Sequence, residues 1–387
     1  MGTVDDRVWR EMLRPESEAE LAEAVRSAEG PLAVCGGGTR PMGRLVAGQA
    51  LTVWGMSGIT LYEPGALTLV AKAGTPVETV DEALRAEGQR LAFEPMDHRV
   101  LLGTDGVPTL GGVVAANVSG PRRIQAGACR DSLLGVRFVD GNGTVLKNGG
   151  RVMKNVTGYD LVKLMAGSFG TLGVLSEVSF KVLPAPETAA CLRLEGLEVA
   201  RAVDAMSLAL GSPFEVTGAA YLPAEGGKEA TTLIRIEGFD ASVAYRTDRL
   251  REVLESFGEL SVVTDPEEVA LIWRDVRDVT RLSAGDGVVW RISVKPTDAP
   301  AVIAALPDAD FQLDWGGGLI WARLDTQFDL RAALRGIAGH ATLVRAPLER
   351  RACGGIFAPQ SAPLAALAEG LRARFDPRGI LNPGLML

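Results

Sequence analysis

The chain has 387 residues, a length that predicts two domains rather than one compact core. Hydrophobic residues make up 47% of it and charged residues 23%, as in ordinary globular proteins. The formal net charge is −8, and Lys and Arg are scattered. This argues against a nucleic-acid partner, because phosphate backbones require a clustered basic surface.

The first half of the chain predicts helices alternating with strands. An amphipathic helix over 16–29 precedes a short buried strand at 31–35 and a glycine-rich turn. A hairpin is predicted over 133–148, because Asp140-Gly141-Asn142-Gly143 is a strong turn signal between apolar segments. The other predicted elements are strands at 51–54, 67–73 and 171–183, a helix at 76–87 with Thr75 as its N-cap, and a short helix at 161–166.

Pro184-Ala185-Pro186 predicts a domain boundary, because closely spaced prolines cannot continue a strand ladder. After it, strands at 232–236 and 288–294 alternate with helices at 241–256 and 267–282. This pattern predicts a second α+β domain, in which helices pack on an antiparallel sheet.

No stretch approaches the roughly 20 apolar residues that span a bilayer, and the first residues show no signal-peptide pattern. We therefore expect a cytoplasmic protein, with peripheral attachment to the inner face of the membrane through partners left open. The four cysteines, at positions 35, 129, 191 and 353, fit no zinc or iron–sulfur spacing. With only two histidines in addition, we expect no metal site.

Residues 35–43, Cys-Gly-Gly-Gly-Thr-Arg-Pro-Met-Gly, follow the first predicted strand directly. Successive glycines leave backbone N–H groups that can turn toward an anion such as a pyrophosphate. The dinucleotide pattern G-x-G-x-x-G fails because Pro41 stands where its third glycine belongs, and the P-loop pattern fails at Arg44 and Leu45. Taken alone, the loop is equally compatible with a simple turn.

Two further segments resemble this loop in composition. Gly111 and Gly112 open a predicted small-residue helix, whose free N–H groups and positive dipole end would face an anion. Residues 167–174 read Gly-Ser-Phe-Gly-Thr-Leu-Gly-Val. Three such segments are hard to explain as turns alone and favour a shared anionic ligand.

The run from Met153, M-K-N-V-T-G-Y-D-L-V-K-L-M-A-G-S-F-G-T-L-G-V-L-S-E-V-S-F-K-V-L-P, resembles the signature of glycolate oxidase flavin subunits. These belong to the vanillyl-alcohol-oxidase superfamily, with its PCMH-type FAD-binding domain, and 36–43 and 109–112 are similar to its two pyrophosphate loops. Segments covering nearly the whole chain narrow the resemblance to the smaller flavin subunits of three-subunit glycolate oxidases: 119–123, 130–135, 290–293, 314–317, 339–342 and 376–384.

The resemblance implies an α+β fold with a two-subdomain PCMH-type FAD-binding domain over 1–184. An α+β cap domain with an antiparallel sheet would follow over 185–360, and a C-terminal segment, 361–387, would return to the FAD domain. FAD would be noncovalent, because the first loop lacks the histidine that attaches the flavin in some relatives. The residues implied to contact FAD are Gly36, Gly37, Gly38, Thr39, Arg40, Gly43, Pro95, Thr109, Leu110, Gly111, Gly112, Ser119, Gly120, Gly173, Val174 and Asn382.

The resemblance also implies a complex with a larger FAD-binding subunit and an iron–sulfur subunit. Relatives that oxidise 2-hydroxy acids hold a metal with two close histidines, whereas His98 and His340 are far apart here. Hydroxy-acid oxidation would then occur on the larger subunit, with this chain as flavin relay or scaffold.

The alternative is a self-sufficient FAD-dependent oxidase of a small hydroxy acid or alcohol, with His340 as base. Arg291, which shares a strand face with Ser293 and Lys295, could bind a substrate carboxylate, as could Arg123 and Arg345. Each of these arginines, taken alone, is more often part of a surface ion pair.

Overall fold

The computed structural model describes residues 12–151 and 158–386, so positions 153–157 of the signature run lie outside the described residues. The described chain is built around a five-stranded and an eight-stranded sheet. Two small pairs accompany them: Leu32–Cys35 (β1) with Gln49–Thr52 (β2), which is parallel, and Gln89–Arg90 (β5) with Leu183–Pro184 (β9), which is antiparallel.

The five-stranded sheet is antiparallel and comes from the first half of the chain. Its hairpin turns where predicted: Asp140 Oδ1 accepts from Asn142 N at 2.9 Å and Thr144 N at 2.8 Å, and Gly143 has a φ of 77°. The strands are Ile59–Glu63 (β3), Thr68–Lys72 (β4), Leu133–Val139 (β6), Val145–Gly149 (β7) and Val174–Lys181 (β8), in the order β3-β4-β8-β6-β7.

The eight-stranded sheet comes from the second half and is also antiparallel, which confirms the predicted α+β class. Along its strand 288–294, Trp290 and Ile292 are buried in the core of this half, while Arg291 and Ser293 face the first half. Its strands are Thr188–Glu195 (β10), Gly218–Leu222 (β11), Thr231–Gly238 (β12), Leu260–Val263 (β13), Val288–Val294 (β14), Asp310–Asp314 (β15), Leu319–Leu324 (β16) and Gly339–Arg345 (β17), in the order β13-β10-β12-β11-β15-β16-β14-β17.

Helices connect and cover these strands. The first begins after Ser17, whose hydroxyl caps the helix by accepting from Glu20 N at 3.2 Å. The described α-helices are Glu18–Ser27 (α1), Val77–Ala86 (α2), Arg99–Leu102 (α3), Leu110–Ala115 (α4), Arg123–Ala126 (α5), Cys129–Ser132 (α6), Leu161–Met165 (α7), Val199–Leu210 (α8), Asp240–Leu254 (α9), Pro266–Asp278 (α10), Ala299–Ala304 (α11), Leu330–Ala333 (α12), Leu348–Ala352 (α13) and Ala362–Phe375 (α14). None of them is long and apolar enough to cross a lipid bilayer.

Two sequence predictions for these elements are wrong. Thr75 does not cap α2, because its hydroxyl bonds Lys72 O at 2.7 Å and Gly58 N at 3.0 Å, and Pro76 takes the cap position. The helix predicted to reach residue 282 ends at Asp278, where Val279 adopts the left-handed region with a φ of 55°.

The last residues of the chain contact its first strand. Leu32 N donates to Ile380 O at 2.8 Å, and Asn382 N donates to Leu32 O at 3.1 Å. Phe375 O accepts from Gly141 N at 2.8 Å. The chain therefore closes on its own beginning, while the domain boundaries at 184 and 360 stay predictions.

A network of five charged side chains, three buried and two partly buried, joins the two halves. Arg235 on β12 donates from both terminal nitrogens to Glu94, at 2.9 and 2.8 Å. Glu237 accepts from Arg122 and, at 2.7 Å, from Arg90. Although burial alone would raise the pKa of Glu237, Arg235 and Arg122 hold it at about 2. Glu237 is therefore ionised at neutral pH.

Removing one member of this network should destabilise the protein strongly. Arg235→Met removes both hydrogen bonds from Arg235 to Glu94 and a positive charge that lowers the pKa of Glu237, so we expect a loss of about 3–5 kcal/mol. Urea unfolding followed by fluorescence would measure it. Arg249→Met, which breaks the exposed Arg249–Glu252 pair on α9, is the matched control, expected to cost less than about 1 kcal/mol. Equal unfolding midpoints for the two variants would contradict this assignment.

Candidate functional site

The first glycine loop packs directly against the segment before α4. A Cβ on Gly37 would lie 1.7 Å from Val107 O, and one on Gly36 would lie 2.5 Å from Thr109 Oγ1. Val107 N also donates to Gly37 O at 3.1 Å. These two glycines are therefore required by the contact between loops, a reason that the sequence pattern alone does not reveal.

The same loop presents a run of unpaired donors. The backbone N–H groups of residues 36–40 donate to no acceptor in the part of the chain that the structure describes. Gly38 is exposed and has a φ of 74°, in the left-handed region. Successive free N–H groups in such a turn form a concavity suited to an anion.

The second loop differs from its prediction. Leu110 N donates to Thr75 O at 3.0 Å, and Gly111 N donates to Ala73 O at 2.7 Å. Gly112 N donates a hydrogen bond to Thr109 Oγ1 at 3.3 Å. The prediction that the start of this helix offers free N–H groups is therefore wrong, because neighbouring carbonyls and the capping threonine already satisfy them.

Arg40 connects the first two loops. Its Nη1 donates to Gly112 O at 2.8 Å, and its Nε donates to His98 Nδ1 at 3.3 Å. Burial lowers the pKa of Arg40 to about 10, so it stays charged. Burial and the charge of Arg40 hold the pKa of His98 well below its usual value. His98 is thus a neutral side chain placed between Arg40 and Met96 O, a contact that sequence reasoning missed.

Asn382 ties the third loop to β1. Its Oδ1 accepts from Val34 N at 2.7 Å, and its Nδ2 donates to Phe169 O at 2.9 Å. It is buried and has a φ of 45°. Asn382 therefore holds the end of the chain beside the loop, while its predicted place near the flavin ring stays a prediction.

The other predicted contact residues of this region have structural neighbours. A Cβ on Gly173 would lie 2.6 Å from Phe138 Cδ2, and the buried Val174 follows it at the start of β8. Gly43 has a φ of 84°, and its carbonyl accepts from Arg351 at 3.0 Å. Pro95 is half-buried. Packing accounts for Gly173 and Gly43 without a ligand.

Ser119 and Gly120 lie where the two halves meet. Ser119 Oγ accepts from Cys129 N at 3.0 Å, and Gly120 N donates to Phe93 O at 2.8 Å. Trp315, from the second half, donates from its indole nitrogen to Gly120 O at 3.0 Å. Trp315 therefore places second-half side chains against a predicted cofactor contact.

Two of the three candidate catalytic residues, Arg123 and Arg291, come together around Trp315. The guanidinium carbon of Arg123 lies 4.5 Å from the Trp315 ring centroid, and that of Arg291 lies 5.0 Å from it. Neither arginine forms a salt bridge within the described residues. Partial burial of the imidazole, together with the charges of Arg291 and Arg123, lowers the pKa of His340. The junction is thus a positively charged region with a neutral imidazole at its side.

Arg345 and Lys295, by contrast, already have partners within the chain. Arg345 donates to Ser283 O at 2.7 Å and to Leu101 O at 3.2 Å, so it links the second half to α3. Lys295 lies 3.7 Å from Asp298 in an exposed ion pair. Across residues 12–151 and 158–386, no group of three His, Cys, Asp or Glu side chains could hold a metal ion.

Asp314 precedes Trp315 and is buried beneath this region. Its Oδ1 accepts from Trp315 N at 2.7 Å, and Trp315 itself has a φ of 54°. Burial raises the pKa of Asp314 to about 7. Its carboxyl group is therefore about half protonated at neutral pH and fixes the turn that presents the tryptophan.

This raised pKa predicts a pH dependence of stability. Because folding raises the pKa of Asp314, its stabilising contribution is complete below about pH 4 and is lost as the pH rises through 7. Asp314→Asn resembles the protonated acid, so its thermal midpoint should fall less than that of the wild type between pH 5 and 8. The exposed Asp248→Asn is the control and should follow the wild type. Parallel curves for Asp314→Asn and wild type would rule out the assignment.

Comparisons with known proteins agree with this architecture. Residues 10–149 match a family described as an FAD binding domain, which confirms FAD as the cofactor. Over 96% of the chain, the fold matches alkyldihydroxyacetonephosphate synthase with a TM-score of 0.71 and 16% identity, covering 76% of that protein. At this identity the match concerns the fold alone.

Two curated relatives match the whole chain. The chain is 26% identical to the mitochondrial D-2-hydroxyglutarate dehydrogenase of Bos taurus, over 97% of this chain and 76% of the relative. It is 37% identical to glycolate oxidase subunit GlcE of Escherichia coli strain K12, over 95% of this chain and 96% of the relative. The chain therefore belongs to the GlcE family of glycolate oxidase subunits, within the FAD-dependent oxidoreductases with a PCMH-type FAD-binding fold.

Proposed function

We propose that the chain is the smaller flavin-binding subunit of a cytoplasmic glycolate oxidase, or of a closely related 2-hydroxy-acid oxidase. It holds FAD noncovalently, as relay or scaffold, beside a larger catalytic flavin subunit and an iron–sulfur subunit. The observation that carries this proposal is the run of free N–H groups at 36–40, in a chain that aligns end to end with a glycolate oxidase subunit. Four free cysteines suit a reducing compartment.

In this proposal the first loop binds the pyrophosphate. The N–H groups of residues 36–40 supply hydrogen bonds without moving any side chain, and Arg40 adds a positive charge nearby. The remaining residues implied by the resemblance would complete the FAD site from its other sides: Gly43, Pro95, Thr109, Leu110, Gly111, Gly112, Ser119, Gly120, Gly173, Val174 and Asn382. When bound, FAD would accept and pass on the electrons of hydroxy-acid oxidation.

The chain's own residues favour the relay or scaffold role. His98 is held between the loops by Arg40, and His340 lies on β17 opposite Ser293 of β14. Although the charge of Arg291 acts on both histidines, His98 is engaged by Arg40 and His340 lies on a different element, so in this proposal they do not supply the metal-holding pair that the resemblance implies for hydroxy-acid oxidation. Oxidation of the substrate is therefore assigned to the larger subunit.

A second candidate function is supported by the convergence around Trp315. Arg123 and Arg291 could bind a substrate carboxylate, and neutral His340 could accept a proton from the substrate hydroxyl. This arrangement would make the chain a self-sufficient oxidase of a small hydroxy acid.

Anaerobic reduction separates the two functions. The FAD-loaded isolated chain should keep its flavin absorbance for minutes after glycolate or D-lactate is added, whereas the three-subunit complex should bleach. His340→Ala should leave the activity of the complex within about twofold, because the relay uses no base here. Fast bleaching of the isolated chain, slowed by His340→Ala, would overturn the relay in favour of the self-sufficient oxidase.

The loop assignment predicts a charge-specific effect at Gly38. Asn and Asp have nearly the same shape and tolerate the left-handed φ of 74° at this position better than other residues do. Gly38→Asp would place a carboxylate beside the FAD pyrophosphate, so we expect FAD to bind at least tenfold more weakly than in Gly38→Asn. Fluorescence titration of the apoprotein would measure both dissociation constants. Equal constants would remove this loop from the FAD site, and flavin that stayed attached after acid denaturation would contradict noncovalent binding.

A further inference from the structure

The helix α14, Ala362–Phe375, has no buried residue along its 14 positions. Leu364 is 57% exposed, Leu367 is 66% exposed and Leu371 is 39% exposed. Isolated helices of about 12–15 residues are marginally stable in water, and Gly370 weakens this one further. A helix so rich in leucine and alanine is ordinarily covered by other protein.

The exposed leucines form one continuous face. Leu364, Leu367, Leu371 and Arg374 follow one another at spacings of three, four and three, so they lie along one side of the helix. Alanines occupy much of the remaining surface. The C-terminal end of the helix is anchored, where the Phe375 ring lies 6.1 Å from that of Phe138. Within the described residues, the leucine face is thus held in place but remains exposed.

From this face we infer that α14 inserts into an apolar groove of a partner subunit, and that an acidic side chain of the groove receives Arg374. This inference rests on the proposed function, which supplies the partner as the larger flavin subunit. Within the described residues, neither Arg374 nor the neighbouring Arg372 forms a salt bridge or a side-chain hydrogen bond. Their charges are therefore available to a complementary surface.

Area argues against a second copy of the chain as the occupant. A 14-residue helix is about 21 Å long and about 10 Å wide, so one face offers on the order of 200 Å² to a single facing helix. A stable interface needs about 800 Å² from each partner. A groove that surrounds the helix and contacts its flanks comes closer to this area, as in other helix-in-groove complexes.

The test uses the full chain co-expressed with the larger flavin subunit and the iron–sulfur subunit of the same organism. Leu364→Glu/Leu367→Glu should weaken assembly at least tenfold, because two charges would enter the apolar groove. Leu208→Glu/Leu271→Glu is the matched control, since these leucines are 46% and 48% exposed on α8 and α10. Light scattering after gel filtration would measure assembly, and FAD content would show that each isolated variant is folded.

Hydrogen exchange supplies a readout that needs no variant. Amides 364–375 should exchange rapidly in the isolated chain and at least tenfold more slowly in the complex. If the complex forms equally well with both double variants, the docking surface is overturned while the proposed function stands. If the wild-type chain assembles with neither subunit, both are overturned. Dimers of the isolated chain that require Leu364 and Leu367 would assign the face to a second copy instead.

Discussion

The orientation of the two halves depends on a buried charge network that neither half could keep by itself. Glu94 receives two hydrogen bonds from Arg235, and Glu237 receives hydrogen bonds from Arg90 and Arg122. If the halves separated, the carboxylates and guanidiniums of the network would lose their partners, and an unpaired charge that stays buried is strongly destabilising. The network therefore favours one orientation of the second half relative to the first half. It does so because hydrogen bonds between charged groups require particular distances and angles, whereas apolar contacts do not.

That arrangement brings Trp315 to Gly120. The indole hydrogen bond to Gly120 O reaches a turn whose next charged residue, Arg122, belongs to the network. Arg123 and Arg291 then approach the same ring from opposite halves. The positively charged region at this junction thus depends on the relative orientation of the two halves. If the halves rotated apart, Arg123 and Arg291 would no longer lie against the same ring.

The elements that the sequence predicts well are those whose causes are local. The α1 helix follows from its apolar period and a serine cap, and the hairpin at 140–143 follows from turn residues that bond their own backbone. Features that involve distant segments were not predictable in this way. The close approach of Val107 O leaves no room for a side chain at position 37. Leu110 N donates to Thr75 O, and Arg235 bonds Glu94, which lies 141 positions away in the sequence. Nothing near these residues in the sequence indicates such partners, whereas the resemblance to a family predicts which loops contact FAD.

The last residues of the chain complete its first strand, and this has a consequence for synthesis on the ribosome. Among the described residues, the N–H groups of Leu32 and Val34 find their hydrogen-bond partners in the segment around Ile380 and Asn382. The strand that precedes the first glycine loop is therefore made early, but its edge waits for a segment 348 positions later in the chain. Loss of the segment around Ile380 and Asn382, by truncation or proteolysis, would leave that edge open to other polypeptides.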